Sequence, residues 1–100
     1  MAHLNPSAFS VASLRKALSA GEMSAQEVCA AVYEHVESVD SKYRAFLSFS
    51  RKRAEAQAAR MDSLPRGERP PLAAIPVALK DNMLLAGFPA TCGSKILANY

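Results

Sequence analysis

Apolar residues recur every three or four positions in the first half of the chain and bunch into an almost unbroken run in the second. Ser10 precedes Val11, Leu14 and Leu18, a spacing that predicts a capped helix ending near Gly21, with Arg15 and Lys16 facing water. Ser24-Ala25-Gln26-Glu27 has the form of a capping box, in which the serine satisfies the Glu27 amide and the glutamate reaches back. Val28, Val32, Val36 and Val39 then share one stripe, which predicts a helix to about Asp40 with one buried face. Tyr43 to Phe49 reads as a short strand on its aromatic and aliphatic content. Ser50 is placed to cap a third helix, Arg51 to Met61, whose Ala54, Ala58 and Met61 line one side while Arg51, Lys52, Arg53, Glu55 and Arg60 fill the others. Proline and glycine mark residues 63–71 as a surface connection.

The run Pro71-Leu72-Ala73-Ala74-Ile75-Pro76-Val77-Ala78-Leu79 ends on Lys80-Asp81-Asn82. A continuous apolar segment of this length predicts a strand covered on both faces, delivering polar groups to a cleft. An ammonium at a buried strand end either snorkels outward or is tuned toward neutrality, because desolvating it costs several kcal/mol unless it is paired. The second alternative makes Lys80 a general base. Strand alternation would turn Asp81 away from Lys80 to anchor the following loop and place Asn82 on the lysine's side, within hydrogen-bonding reach. Such a strand needs neighbours on both edges, yet the chain offers only the 43–49 segment and a candidate third strand around Met83 to Leu85. The sheet is therefore incomplete, and the chain reads as the N-terminal part of a larger α/β protein.

Composition narrows the function classes. Hydrophobic residues at 50% and charged residues at 21% argue against disorder and coiled coil. Twelve Lys and Arg against nine Asp and Glu give +3, an excess too small to imply an anionic partner by itself. The basic residues of the third helix lack interleaved aromatics and any RNA-binding motif, so they read as a solvated face rather than a weak RNA contact. No stretch reaches the roughly 18 apolar residues of a membrane span, and the first thirty residues carry no signal-peptide core, so the expected setting is cytoplasmic with no membrane partner. Cys29 and Cys92 have neither Cys-x-x-Cys nor histidine spacing, which predicts reduced, packed thiols and no metal site. His35, beside the valine stripe without a carboxylate or cysteine at ligand spacing, reads as a packing residue.

The lysine run, taken with Gly87-Phe88-Pro89-Ala90-Thr91-Cys92-Gly93-Ser94-Lys95-Ile96-Leu97-Ala98-Asn99-Tyr100, resembles the amidase signature family, and within it the A subunits of tRNA-dependent amidotransferases. Upstream, Ser24-Ala25-Gln26-Glu27, Ala45-Phe46, Ala54, Ala58 and Asp62 match the same pattern. The resemblance implies an α/β amidase fold, a mixed sheet covered by helices, of which residues 1–100 are the N-terminal helices and first strands of one domain continuing beyond residue 100. It implies that Lys80 is the base of a serine, cis-serine and lysine triad that hydrolyses amides through an acyl-enzyme, with Asp81, Asn82 and Ser94 as supporting residues. Both serines belong to a Gly-Gly-Ser-Ser signature that does not occur here, so these residues alone are expected to be inactive.

Further implications are glutamine as substrate, assembly with the B and C subunits of the amidotransferase, and a mischarged Glu-tRNA or Asp-tRNA reached through the complex. No cofactor is expected in this chain, ATP and magnesium serving the overall reaction. Lys-Asp-Asn is common to the whole family, so a free-standing amidase acting on small amides is the runner-up, and a truncated docking fragment is the alternative of another class. Thr91 and Ser94 invite reading as substitute nucleophiles, but Ser94 is better read as a helix cap. Ala74 stands where the family has glycine, which predicts a backbone there without positive φ, and Ala90 stands where threonine is common.

Overall fold

The computed structural model describes residues 5–88 and 90–97, leaving Pro89 and Ala98-Asn99-Tyr100 of the resembling segment outside the described residues. Three helices organise it, α1 (Val11–Ala20), α2 (Ala25–Tyr43) and α3 (Arg51–Ser63). The ends of the first two rest on specific bonds. Ser10 caps α1 through the Ser13 amide, and the Ser13 hydroxyl returns a bond from the Ser10 amide. At the other end Gly21 adopts φ 74° and donates to Leu18, while Glu22 donates to Ala17, the paired closure of a Schellman motif.

α2 starts as expected at Ser24, whose hydroxyl accepts from the Glu27 amide at 3.1 Å. The return bond from Glu27 is not formed. The carboxylate of Asp62, from the last turn of α3, accepts instead from the Ala25 and Gln26 amides at 2.7 and 3.0 Å. Met23 and Val28 flank this cap inside one buried cluster, as a hydrophobic staple does. The helix runs to Tyr43 rather than Asp40, where Arg44 closes it at φ 49° and the Asp40 carboxylate accepts from the Ala45 amide. α3 lies antiparallel to α2, with Asp62 tying one end and an ion pair between Arg51 and Glu37 tying the other. Arg51 also pairs with Glu55 at 2.9 Å and lies over the Tyr33 ring. Ser50 occupies the capping position of α3 but its side chain makes no capping bond.

The core is small. Leu14, Ala17, Leu18, Met23 and Val28 form its buried cluster, with Phe9, Val32, Ala74 and Ile75 packed against it. Ala58 is the buried residue of α3. Val11, expected on the buried stripe of α1, is exposed. The radius of gyration, 15.0 Å, exceeds the roughly 13 Å of a closed domain of this length, so the molecule is open rather than fully collapsed.

The expected strands are not formed among the described residues. Tyr43 belongs to α2, and residues 44–49, 75–80 and 83–85 carry no ladder. Leu47, Leu72, Val77, Leu79, Met83 and Leu84 are exposed, the reverse of the double-sided burial expected for a central strand. The physical reason is that a strand exists only through a neighbour's amides and carbonyls, and no described segment supplies them. The run is also broken near its start. Ile75 donates to the Leu72 carbonyl at 3.2 Å across a turn in which Ala74 takes φ 65°. A left-handed third residue is the signature of a type II turn, where glycine is preferred. Ala74 therefore does adopt the positive φ that its lack of glycine argued against.

Candidate active site

Lys80 follows directly from this turn and the unpaired segment after it. It lines an open groove of about 370 Å³ between residues 45–50 and 77–88, together with Tyr33, Phe46, Phe49, Val77 and Phe88. Phe49 stacks edge-on to Tyr33 and tilted on Phe46, which fixes the aromatic wall. Lys80 is exposed, contrary to the buried strand end expected of it, because the apolar segment that carries it is itself uncovered.

Residues 80–83 form a turn, with the Met83 amide donating to the Lys80 carbonyl at 2.9 Å. Strand alternation therefore does not govern Asn82, which is exposed and makes no hydrogen bond to Lys80 among the described residues. Asp81 does what the alternation argument expected of it, by other means. Its carboxylate accepts the Thr91 amide and the Gly93 amide, each at 3.0 Å, and the Thr91 hydroxyl donates to it as well. The Asp81 carbonyl accepts from Cys92 at 3.1 Å. The Thr91 hydroxyl, followed by the Thr91 and Gly93 amides, holds the Asp81 carboxyl below the usual range. With its carboxylate committed to the loop, Asp81 forms no ion pair with the adjacent lysine, and Lys80 has no acidic partner within ion-pairing distance among the described residues.

Ser94 sits on the far side of that loop. Its amide donates to the Thr91 carbonyl at 2.8 Å across a turn whose central residues, Cys92 and Gly93, both have positive φ. Its hydroxyl accepts from the Ile96 amide at 3.3 Å, at the start of the short helical turn Lys95–Leu97. Ser94 is thus a cap, and the Thr91 hydroxyl is a loop clamp. Ala90, beside that clamp, is buried. Cys29 is half-buried with its thiol pushed up chiefly by burial, while Cys92 is exposed rather than packed; both are free. Among the described residues no group of three His, Cys, Asp or Glu side chains is placed to hold a metal ion, and no helix is long and apolar enough to cross a membrane.

Three structural roles escaped sequence reasoning: Thr91 as partner of Asp81, Asp62 as cap of α2, and the turn at Ala74. The first two join residues ten and about thirty-seven positions apart, beyond the reach of any local pattern. For Ala74 the family's glycine at that position was the available signal.

Known proteins share this segment. The profile of the family described as Amidase matches residues 27–100, a span that includes Lys80 and the Asp81 clamp. The chain is 46% identical over 89 residues to the A subunit of glutamyl-tRNA(Gln) amidotransferase from Desulforudis audaxviator (strain MP104C), covering 87% of this chain and 18% of that protein. It is 44% identical over 93 residues to the protein of the same name from Gloeobacter violaceus, covering 91% and 19%. To that of Lysinibacillus sphaericus it is 38% identical over 87 residues, covering 87% and 18%. The chain thus spans less than a fifth of the length of these curated relatives. No solved structure matches it.

Proposed function

Because the chain belongs to the amidase family, we propose that it is the N-terminal part of the glutamine-hydrolysing A subunit of a tRNA-dependent amidotransferase, with Lys80 as the base of its reaction. The observation that carries this reading is the Lys80-Asp81-Asn82 segment within the matched span, in which Asp81 is bonded to the 91–93 loop and the lysine has no ion pair among the described residues. A serine hydroxyl becomes a nucleophile only when a nearby base takes its proton, and a lysine does so once burial lowers its pKa from about 10.4 toward neutrality. In this reading the amidase domain continues beyond residue 100. The remaining strands pair with 75–80, cover the groove, bury Lys80 and bring a bridging serine and a nucleophilic serine to it. The acyl-enzyme then forms with release of ammonia, and water hydrolyses it to glutamate.

The names of the relatives support the finer assignment. Ammonia released here would pass to the partner B and C subunits, which amidate a mischarged Glu-tRNA or Asp-tRNA using ATP and magnesium, in the cytoplasm. The test begins with the coding region beyond the Tyr100 codon, where this reading expects a glycine-rich stretch bearing two serines. In the protein that contains it, Lys80→Ala should abolish glutamine hydrolysis while leaving thermal stability nearly unchanged. Retained hydrolysis would remove Lys80 from the mechanism. Turnover of small amides without glutamine-dependent tRNA amidation would favour a free-standing amidase, and a stop codon at that point a docking fragment.

A further inference from the structure

Away from the lysine groove, a cleft of about 160 Å³ opens between α1 and the connection after α3, lined by Arg15, Arg66 and Arg69 with Ser19 and Ala73. Three guanidinium-bearing residues around one small cleft repel one another unless anions intervene. Among the described residues none of the three has an acidic partner, since the ion pairs there belong to Arg51 with Glu37 and Glu55. The basic face of α3 is thus partly neutralised, whereas the cleft is not.

One of the three arginines is held in place and a second has room made for it. The Arg69 guanidinium donates from Nε to the Leu64 carbonyl at 3.2 Å and from Nη2 to the Asp62 carbonyl at 3.5 Å, leaving its other N–H groups unspent. The Arg66 guanidinium lies directly over Gly21, where a Cβ would collide with Nη2, so the glycine that closes α1 also makes room for this side chain. Guanidinium forks match the oxygens of a phosphate better than any other side chain, and preorganisation reduces the ordering cost of binding one. From this arrangement we infer that the cleft is a phosphate-binding site, taking a phosphate group carried by a small ester or by a polynucleotide backbone. The site does not depend on Lys80 or on the amidase reading.

The test is calorimetric titration of the full-length protein with inorganic phosphate, and separately with a mixed-sequence RNA oligonucleotide. Saturable phosphate binding is expected, weakened about tenfold by Arg66→Gln and by Arg15→Gln, each replacing a charge-assisted bond. Lys52→Gln on α3 should leave it unchanged. Arg15 is exposed on α1, so its variant keeps the test valid if Arg66→Gln perturbs folding. RNA binding that is tighter than phosphate binding and falls about tenfold in the same variants identifies a polynucleotide source. Phosphate binding with no such RNA effect identifies a small ester. Absence of saturable phosphate binding, or equal losses in all three variants, overturns the proposal.

Discussion

The carboxylate of Asp81 holds Thr91 by both its amide and its hydroxyl, so the residue beside the candidate base is fastened to a loop ten positions further along. This bond set separates two neighbours of opposite charge. It commits Asp81 to structure and leaves Lys80 without an ion pair among the described residues, a division that adjacent residues on one strand would reach only through alternation. The interaction carries a pH signature. The folded carboxyl is lowered relative to its usual value by the Thr91 hydroxyl first and the Thr91 and Gly93 amides next. Its contribution is therefore present above the unfolded pKa of about 3.9 and is lost as pH falls through the lower folded value. Protection of the Thr91 and Gly93 amides relative to their intrinsic exchange rates should be present at neutral pH, fall away below about pH 4, and be lost in Asp81→Ala even at neutral pH.

Ala74 is a left-handed residue without glycine's freedom. A Cβ in that region costs about 1 kcal/mol or more. Ala74→Gly should therefore stabilise the protein by about 1 kcal/mol in urea titrations, less whatever the glycine adds to the entropy of the unfolded chain. Lower stability would show that Ala74's packing against the core outweighs its strain.

Asp62 joins the end of α3 to the start of α2. Two amides at a helix N-terminus lose their acceptor in Asp62→Ala, and the helix loses a favourable negative charge there. The expected destabilisation is about 1–2 kcal/mol, read from the midpoint of chemical denaturation. Asp62→Asn should recover part of it by keeping an acceptor.

The two thiols differ in surroundings. Burial, with Glu55 adding to it and Arg51 opposing it, raises the Cys29 pKa and reduces its thiolate fraction, while Cys92 stands exposed. Iodoacetamide at pH 8 should label Cys92 first in the native protein, with the difference vanishing in urea. Equal native rates would show that α2 opens readily around Cys29.

The helices were legible because their signals are local. Ser10 before Val11, Ser24 before Ala25 and Gly21 after Ala20 act within one turn of the groups they satisfy, so spacing along the chain is spacing in space. The 71–82 run departs from its expected strand for the opposite reason. Its apolar content fits a covered strand, but coverage and pairing come from other segments, and none is placed beside it among the described residues. Lys80 was recognisable from its motif, whereas its exposure was not.

Three helices, the serine caps of the first two and the Lys80-Asp81 pair were thus readable from local spacing alone. Folding was needed to bring Asp62 to the cap of α2, Asp81 to Thr91 and Gly93, and three arginines to one cleft. The division follows from range. Helix caps and periodicity act over a few residues of contiguous backbone, whereas clamps, clefts and burial are relations between distant segments that exist only once the chain has folded.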